Sequence, residues 1–295
     1  MSSEPLVVVH RTPFSKRSRE FGLVLRAKDV HFIEGREGRE HVLLVAQSEE
    51  LAAVEEFRRY EEENVGWPPK PEQVVLVSTG LGAVAAWILT LWTFFLFDQS
   101  DTWGYEWVQR GLSRAGRVLD GEWWRPITAL TMHSGWSHLA SNVVFGALFL
   151  VLVAQLVGNG AALFSALLSG ALGNLLNAWI QRPEHGSIGA STAVFGLIGV
   201  LAAHQWIRRR RVRHGFVYRW APLVLGGVFL GWMGTGGERT DVLAHCTGLL
   251  TGGFVGAALG TLEPRRFARR GAQIGLALAS IAILAAAWSV ALTSP

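Results

Sequence analysis

Four polar side chains lie in stretches of the chain that are otherwise apolar, and their types could perform acyl transfer. Ser191 begins one apolar run, His245 lies near the start of another, and His138 and Asn142 lie at the start of a third. A serine hydroxyl becomes a nucleophile when a neutral imidazole takes its proton. A histidine and an asparagine can donate hydrogen bonds to a developing oxyanion. Because His138 and Asn142 are four residues apart, they share one face of a helix.

The composition removes several other kinds of site. Half of the 295 residues are apolar and 17% are charged, against roughly a quarter in an average soluble domain, which excludes a disordered chain. The single cysteine, Cys246, excludes a disulfide scaffold. Metal binding by His133, His138 and His245 is an alternative that lacks a completing carboxylate or second cysteine. The sequence therefore predicts neither a metal nor another cofactor.

The polar residues belong to seven long runs that contain no Asp, Glu, Lys or Arg. A helix of about 20 apolar residues crosses the hydrocarbon core of a bilayer, so each run predicts a membrane span. Polar groups are costly inside a span and are candidates for function by default. The seven predicted spans are Val74–Phe97, Leu139–Gly158, Ala161–Ile180, Ser191–Ile207, Trp220–Gly236, Val242–Leu262 and Ala272–Leu292.

A ladder of glycines indicates how two of these spans meet. Small residues let transmembrane helices approach closely, and His245 lies three residues before the first glycine of the ladder, on nearly the same face. Packing the ladder against the fourth span would bring the imidazole toward Ser191, beside Gly189 and Ala190. The ladder in the sixth span consists of Gly248, Gly252, Gly256 and Gly260.

Arginine clusters predict the orientation. Arginines at 208–213 follow the fourth predicted span and arginines at 265–270 follow the sixth, so both loops should face the cytoplasm. We therefore expect a multi-pass protein of the cell membrane with a cytoplasmic N-terminus and an extracytoplasmic C-terminus. At 1.5 Å per residue, the four polar residues then lie within about two turns of the outer surface. Nucleic-acid binding is not expected, because no aromatic platform or fold motif accompanies the arginines.

The loop between the first two spans, residues 98–138, carries five tryptophans but no stretch long enough to span. Since tryptophan favours the membrane interface, we expect this loop to lie partly in the outer leaflet. Arg125 is expected to anchor it to lipid headgroups or to backbone carbonyls. The five tryptophans are Trp103, Trp107, Trp123, Trp124 and Trp136.

Residues 1–66 have mixed charge and predict a small cytoplasmic α+β module of β-α-β-β-α order, joined to the first span by a stiff linker at 67–73. The predicted elements are strand Leu6–Val9, helix Ser15–Lys28, a hairpin of Val30–Glu34 and His41–Val45 across Gly35–Gly38, and a helix to Asn64 capped by Ser48. The last helix should bury Leu51, Val54, Phe57 and Tyr60.

Across roughly Val75–Leu262 the chain resembles the rhomboid intramembrane serine proteases. The resemblance rests on four motifs in the family's order, which together are highly specific. They are Trp124-Arg125, the segment from His133 through His138 to Asn142, Gly189-Ala190-Ser191, and the Ala-His-x-x-Gly-x-x-x-Gly pattern of Ala244, His245, Gly248 and Gly252.

The resemblance implies an all-α polytopic membrane protein with a six-helix core at 74–262, and a cytoplasmic loop and seventh span at 263–295. It implies a Ser191–His245 dyad without a carboxylate, and an oxyanion hole built from His138, Asn142 and the Ser191 N–H. It also implies that transmembrane proteins are the substrates. Supporting roles fall to Phe195, stacked on the catalytic histidine, and to Gly189, Gly248, Gly252, His133, Trp124 and Arg125.

Two positions depart from the family pattern, and two other functions compete. Thr192 replaces the glycine that commonly follows the nucleophile, and Phe195 stands where the family often has tyrosine. A catalytically silent rhomboid-like protein that binds membrane clients would keep the fold without needing the dyad. A transporter or channel is disfavoured, because the polar residues cluster at one depth and no inverted repeat is visible. The sequence sets no oligomeric state.

Overall fold

The computed structural model describes residues 4–67, 76–210, 216–233, 241–262 and 269–294. The chain divides into two compact units, residues 1–74 and 75–295. Most of the predicted linker at 67–73 and parts of both arginine clusters lie outside the described residues.

The N-terminal unit is a three-stranded antiparallel sheet packed with two helices. Strand β3 lies in the middle and pairs with β1 and β2, and Phe21, Leu25 and Phe57 are buried in the shared core. The elements in chain order are β1 (Leu6–Thr12), α1 (Ser15–Ala27), β2 (Phe32–Glu37), β3 (Glu40–Ala46) and α2 (Glu50–Glu63). The predicted β-α-β-β-α order is present in this unit.

Two details of the predicted module are wrong. The hairpin strands run further than predicted and the chain turns at Gly38, which has a φ of +61°, rather than across Gly35–Gly38. Ser48 does not cap α2: it lies in a 3₁₀ turn, Gln47–Glu49, and its N–H donates to Glu4 Oε1 at 2.8 Å.

The buried stripe of α2 is displaced from the predicted one. Leu51 is 86% exposed and Val54 is 49% exposed, whereas Ala53 and Phe57 are buried. Ala53 and Phe57 are four residues apart and share the face of α2 that meets the core, whereas Leu51 and Val54 lie off that face. Of the predicted stripe, only Phe57 is part of the core.

The membrane unit contains long helices that correspond to the predicted spans. Among the described residues, five helices are long and apolar enough to cross a membrane. They are α3 (Leu81–Gln99), α7 (Trp136–Val157), α8 (Asn159–Ile180), α11 (Val242–Thr261) and α12 (Arg270–Thr293). Helices α9 (Ser191–Arg210) and α10 (Phe216–Met233) correspond to the fourth and fifth predicted spans.

Helix α9 is less apolar than these five helices and is enclosed by its neighbours. It contacts α7, α8, α10 and α11, and every residue from 192 to 200 is buried. A helix enclosed by other helices meets little lipid, so its sequence can carry polar groups such as Ser191 and His204. The most enclosed span therefore bears the predicted nucleophile.

The first span begins seven residues later than predicted. Gly80 precedes α3 with a φ of +83°, and a Cβ there would lie 2.8 Å from the Cα of Val151. Residues 76–79, which come directly before Gly80, belong to no helix or strand, and the Ser78 hydroxyl lies 2.9 Å from Asn159 Oδ1. This close approach to α7 and α8 sets where the helix can start.

The loop between α3 and α7 is built from short elements. Trp103, Trp123 and Trp136 are more than half exposed, but Trp107 is 2% exposed and belongs to a core with Trp288 of α12. Trp107 is therefore held inside the protein rather than at its surface. The loop elements are α4 (Trp107–Gly111), β4 (Ser113–Arg114), α5 (Ala115–Leu119) and α6 (Arg125–Thr128), and β4 pairs with β5 (Gly186–Ser187).

Candidate active site

Helices α9 and α11 touch through their backbones at the glycine ladder. A Cβ at Gly252 would overlap the carbonyl oxygen of Gly196, and a Cβ at Gly248 would overlap that of Thr192. A Cβ at Gly256 would likewise overlap the Val200 carbonyl. The two helices can therefore approach this closely only where α11 carries glycine, which is the packing that the ladder predicts.

This contact brings His245 next to the first turns of α9. The His245 ring stacks on Phe195 with centroids 4.4 Å apart and an interplanar angle of 27°. Phe195 lies one turn beyond Ser191, and Gly248, one turn beyond His245, meets the backbone of Thr192. His245 is 7% exposed, so packing fixes the orientation of its ring.

Gly189 separates Ser191 from His138. Its φ is +120°, and a Cβ there would lie 2.6 Å from His138 Nε2 and 3.7 Å from Ser191 Oγ. Its N–H donates to the carbonyl of Ala129 at 2.9 Å, which ties this turn to the loop before α7. Glycine is therefore required here both by the backbone conformation and by the close approach of the imidazole.

The hydrogen bonds of His138 set its tautomer. The Ser134 N–H points at His138 Nδ1 across 3.4 Å, and the Ser134 hydroxyl lies 3.1 Å from the same nitrogen. An Nδ1 that accepts leaves the ring proton on Nε2 in the neutral imidazole. Since Nε2 is the atom nearest the position that a Cβ at Gly189 would take, a donor N–H is directed toward the Gly189–Ser191 turn.

Asn142 lies one helical turn below His138 and is 4% exposed. Its Nδ2 donates to the His138 carbonyl at 2.8 Å, while Trp87 Nε1 donates to the Asn142 carbonyl at 3.1 Å. An amide nitrogen carries two hydrogens, so the second remains as a donor for another acceptor.

Ser191 is the first residue of α9. The first N–H groups of a helix have no intrahelical acceptor, and the helix dipole favours negative charge at this end. Thr192 is buried, and its methyl carbon lies where Gly173 of α8 and Gly248 of α11 leave room. The β-branched side chain that departs from the family pattern is thus placed between helices.

His133 packs edge-on against His138, with ring centroids 5.1 Å apart. It is 3% exposed, and burial lowers its pKa to about 3. The ring is therefore neutral near pH 7. His133 supports the His138 ring by packing rather than by carrying charge.

Arg125 is buried and holds the loop together from within. Its Nη1 donates to the carbonyls of Gln109 at 3.1 Å and Leu112 at 2.7 Å, and its Nε pairs with Glu122. The sequence predicted that Arg125 anchors the loop to lipid headgroups or to backbone carbonyls, and its partners in the structure are backbone carbonyls. Trp124, the other half of the motif, packs against the core around Trp107.

Sequence reasoning missed three residues at this end of the unit. Asp241 is the N-cap of α11 and accepts from the Ala244 N–H at 3.0 Å. Its second oxygen accepts from Asn177 Nδ2 at 2.8 Å and from His185 Nε2 at 2.7 Å. An aspartate directly before an apolar run is a helix-start signal that could have identified the first of these residues.

The Asp241 carboxyl is ionised. Burial raises its pKa, but hydrogen bonds from His185, the Ala244 N–H, Ser187 and Asn177 outweigh burial, so the pKa lies below its usual range. Among the residues that the structure describes, no group of three or more His, Cys, Asp or Glu side chains could hold a metal ion.

The fold and site define a polytopic helical membrane protein with a serine, two histidines and an asparagine at one end of its central helices. Residues 120–262 match the family described as Rhomboid domain. Over 139 residues the chain is 30% identical to YdcA, a rhomboid-protease relative from Bacillus subtilis, covering 47% of this chain and 67% of YdcA. The chain therefore belongs to the rhomboid family.

Other relatives differ in what their names state. The rhomboid protease GluP of Bacillus subtilis is 30% identical over 165 residues, covering 55% of this chain and 31% of GluP. Inactive rhomboid protein 1 of Drosophila melanogaster is 28% identical over 130 residues, covering 44% of this chain and 9% of that protein. Since the family holds both proteases and an inactive protein, the residues at the site must decide the activity.

Proposed function

We propose that this protein is a serine endopeptidase that hydrolyses peptide bonds in or near the transmembrane helices of other membrane proteins. The observation that carries the proposal is the convergence of the predicted residues on one end of α9. Phe195, one turn beyond Ser191, stacks on His245, and Gly189 lies between Ser191 and His138. Packed helices hold all of these residues, as a preorganised site requires.

In the first half of the reaction, Ser191 Oγ attacks the carbonyl carbon of the scissile bond as His245 removes the hydroxyl proton. The carbonyl π electrons move to oxygen and form a tetrahedral oxyanion. Collapse of this intermediate breaks the C–N bond, and His245 gives its proton to the leaving amine. An acyl ester on Ser191 remains.

In the second half, water attacks the ester and His245 accepts a proton from it. A second tetrahedral oxyanion forms and collapses, the carboxylic acid product leaves, and Ser191 regains its proton. Phe195 replaces the carboxylate that orients histidine in a triad, because ring stacking restricts the rotation of the His245 side chain.

The oxyanion is held by donors that are in place before the reaction. His138 Nε2–H, the second hydrogen of Asn142 Nδ2 and the Ser191 N–H supply the hydrogen bonds. Donors already fixed by the fold need little reorganisation when charge develops, which favours the transition state over the bound substrate.

The arginine clusters support a site that opens to the extracytoplasmic side of the cell membrane, with the N-terminal unit in the cytoplasm. Substrate helices would reach the site from the bilayer, and water would reach it through a cavity open to that side.

The second candidate function is a catalytically silent protein that binds membrane clients. The similarity to Inactive rhomboid protein 1 favours it, because part of this chain resembles a relative whose name denies activity. The presence of Ser191, His245, His138 and Asn142 in this chain favours the enzyme.

A cleavage assay separates the two. We expect the purified protein to cut a single-span test substrate in detergent or vesicles, and Ser191→Ala to abolish cleavage while its melting temperature stays nearly unchanged. Ser289→Ala, at an exposed position of α12, is the matched control and should cut at the wild-type rate. Cleavage by Ser191→Ala at the wild-type rate would show that another residue is the nucleophile. No cleavage by the folded wild type would favour the silent binder.

A further inference from the structure

The carboxylate of Asp241 joins three separate elements at the Ser191 end of the membrane unit. One oxygen accepts from the Ala244 N–H in the first turn of α11. The other accepts from Asn177, in the last turn of α8, and from His185, in the loop before α9. Asp241 side-chain exposure is 17%, so the bridge is largely protected from solvent.

On one side, this bridge holds the first turn of α11, the helix that carries His245. The N–H of His245 donates to the Asp241 carbonyl at 3.2 Å, so these two residues close the first turn of α11. A carboxylate at a helix N-cap satisfies an orphan N–H and interacts favourably with the helix dipole. Any movement of Asp241 therefore moves the turn that presents the catalytic imidazole.

On the other side, the bridge holds the segment that leads to Ser191. His185 lies six residues before Ser191, and its carbonyl accepts from the Ala115 N–H at 2.9 Å. Ser187, two residues further on, pairs with Ser113 in the short β4–β5 ribbon. The segment that leads to the nucleophile is thus fixed to the first loop and, through His185, to the start of α11.

We propose that Asp241 is a positioning residue that sets the separation of Ser191 and His245 by bridging the nucleophile loop, α8 and the start of α11. It is not a third member of a catalytic triad, because it lies one turn before His245 on the same helix and bonds to groups that support the dyad. The proposal rests on the proposed protease function. Displacing a reacting group by about 1 Å can cost on the order of 10²-fold in rate.

Three substitutions separate bridging from simple helix capping. Asp241→Ala removes both contacts, whereas Asp241→Asn keeps one oxygen for the Ala244 N–H and turns an amide toward Asn177 and His185. His185→Gln weakens the bridge from the opposite side. Asp98→Asn, at the end of α3 and outside this network, is the matched control.

The readouts are the rate of labelling by a fluorophosphonate probe, which reports activation of Ser191 without a protein substrate, and kcat and KM on a single-span substrate. We expect Asp241→Asn to melt near the wild-type temperature but to lose about 10- to 100-fold in labelling rate and kcat, with KM within about twofold. His185→Gln should show a smaller loss of the same kind. The double variant should lose less than the product of the two single losses, because both remove one bridge.

Several results would overturn the proposal. Wild-type labelling and turnover by Asp241→Asn would show that Asp241 only caps α11, even if Asp241→Ala fails to fold. A rise in KM with unchanged kcat would show that Asp241 acts on substrate binding. Absence of labelling in the folded wild type would instead refute the protease function, so the two failures are distinguishable.

Discussion

The two units of the chain differ in how their central elements meet. In the N-terminal unit, side chains meet: His10 stacks on Phe21 at 4.2 Å, and Phe57 contacts the same ring edge-on at 4.7 Å. At the centre of the membrane unit, backbones meet, because glycines of α11 lie against carbonyl groups of α9. Large rings fill the core of the N-terminal unit, whereas the absence of side chains lets α9 and α11 touch at the centre of the membrane unit.

The surrounding medium explains the difference. In water, burying large apolar side chains drives folding. In a bilayer, lipid tails are as apolar as leucine, so helices associate through close packing and hydrogen bonds instead. Close packing has a second consequence. Touching backbones fix the distance between the two helices, and this distance sets the relative positions of the side chains that they carry. The glycine contact thus positions Ser191 relative to His245.

The largest predicted effect would break this glycine contact. We expect Gly252→Leu to force α11 away from Gly196, to lower the melting temperature sharply and to abolish proteolysis, because overpacking alone costs roughly 1–3 kcal/mol or more. Thermal unfolding and the cleavage assay measure both effects.

The adjacent glycine is the control for this prediction. A Cβ at Gly253 meets no described atom within 4 Å, so Gly253→Leu should keep both the fold and most of the activity. Equal losses in the two variants would show that glycine at 252 matters for helix propensity rather than for helix contact.

A smaller effect would separate chemistry from packing at the same site. Asn142→Ala should lower kcat by about 10²- to 10³-fold, with a smaller change in KM, because the lost donor acts mainly on the transition state. Steady-state kinetics on a single-span substrate measure this split. Asn64→Ala removes the same kind of bond, from Nδ2 to the carbonyl four residues earlier, in the N-terminal unit, and should leave kcat near the wild-type value. A larger effect on KM than on kcat at Asn142 would assign that residue to substrate binding.

The smallest effect concerns the aromatic core of the N-terminal unit. Burial and the nearby Arg17 guanidinium lower the pKa of His10. In the unfolded chain His10 binds a proton near pH 6.5, whereas in the folded unit it does so only at lower pH. The free energy of unfolding of the N-terminal unit therefore falls as the pH drops below about 6.5. Hydrogen exchange in residues 4–67 between pH 7.5 and 5 should show protection declining on acidification.

His10→Phe keeps a ring against Phe21 but cannot titrate, so its protection should vary much less over this range. If protection in the wild type and in His10→Phe declines equally, another group is responsible. No change in proteolysis rate is expected from His10→Phe at pH 7.5, because only the core of the N-terminal unit is altered.

Much of the fold followed from the sequence because the bilayer imposes a simple pattern. Chargeless runs of about 20 residues predicted the spanning helices, and the glycine ladder predicted the contact between α9 and α11. The rhomboid resemblance, which the family comparison confirms, supplied the roles of the site residues. Those roles stay predictions until activity is measured.

What sequence reasoning missed depends on contacts between distant segments. Gly80 directly precedes α3 and lies against Val151, and no local pattern reveals that neighbour. The Asp241 bridge joins residues from 177 to 241, so its partners are visible only after α8 and α11 pack. In the N-terminal unit, Ser48 has a capping side chain, but both its N–H and its side chain bond to Glu4, which lies just before β1.

The most direct test of the central claim is to map the site of covalent labelling. A fluorophosphonate probe is incubated with the folded protein, and mass spectrometry of the digested product identifies the modified residue. The account predicts one modified serine, Ser191, with labelling lost in Ser191→Ala and strongly slowed in His245→Ala. Labelling at another serine, or no labelling of a folded wild type that remains stable throughout, would contradict it.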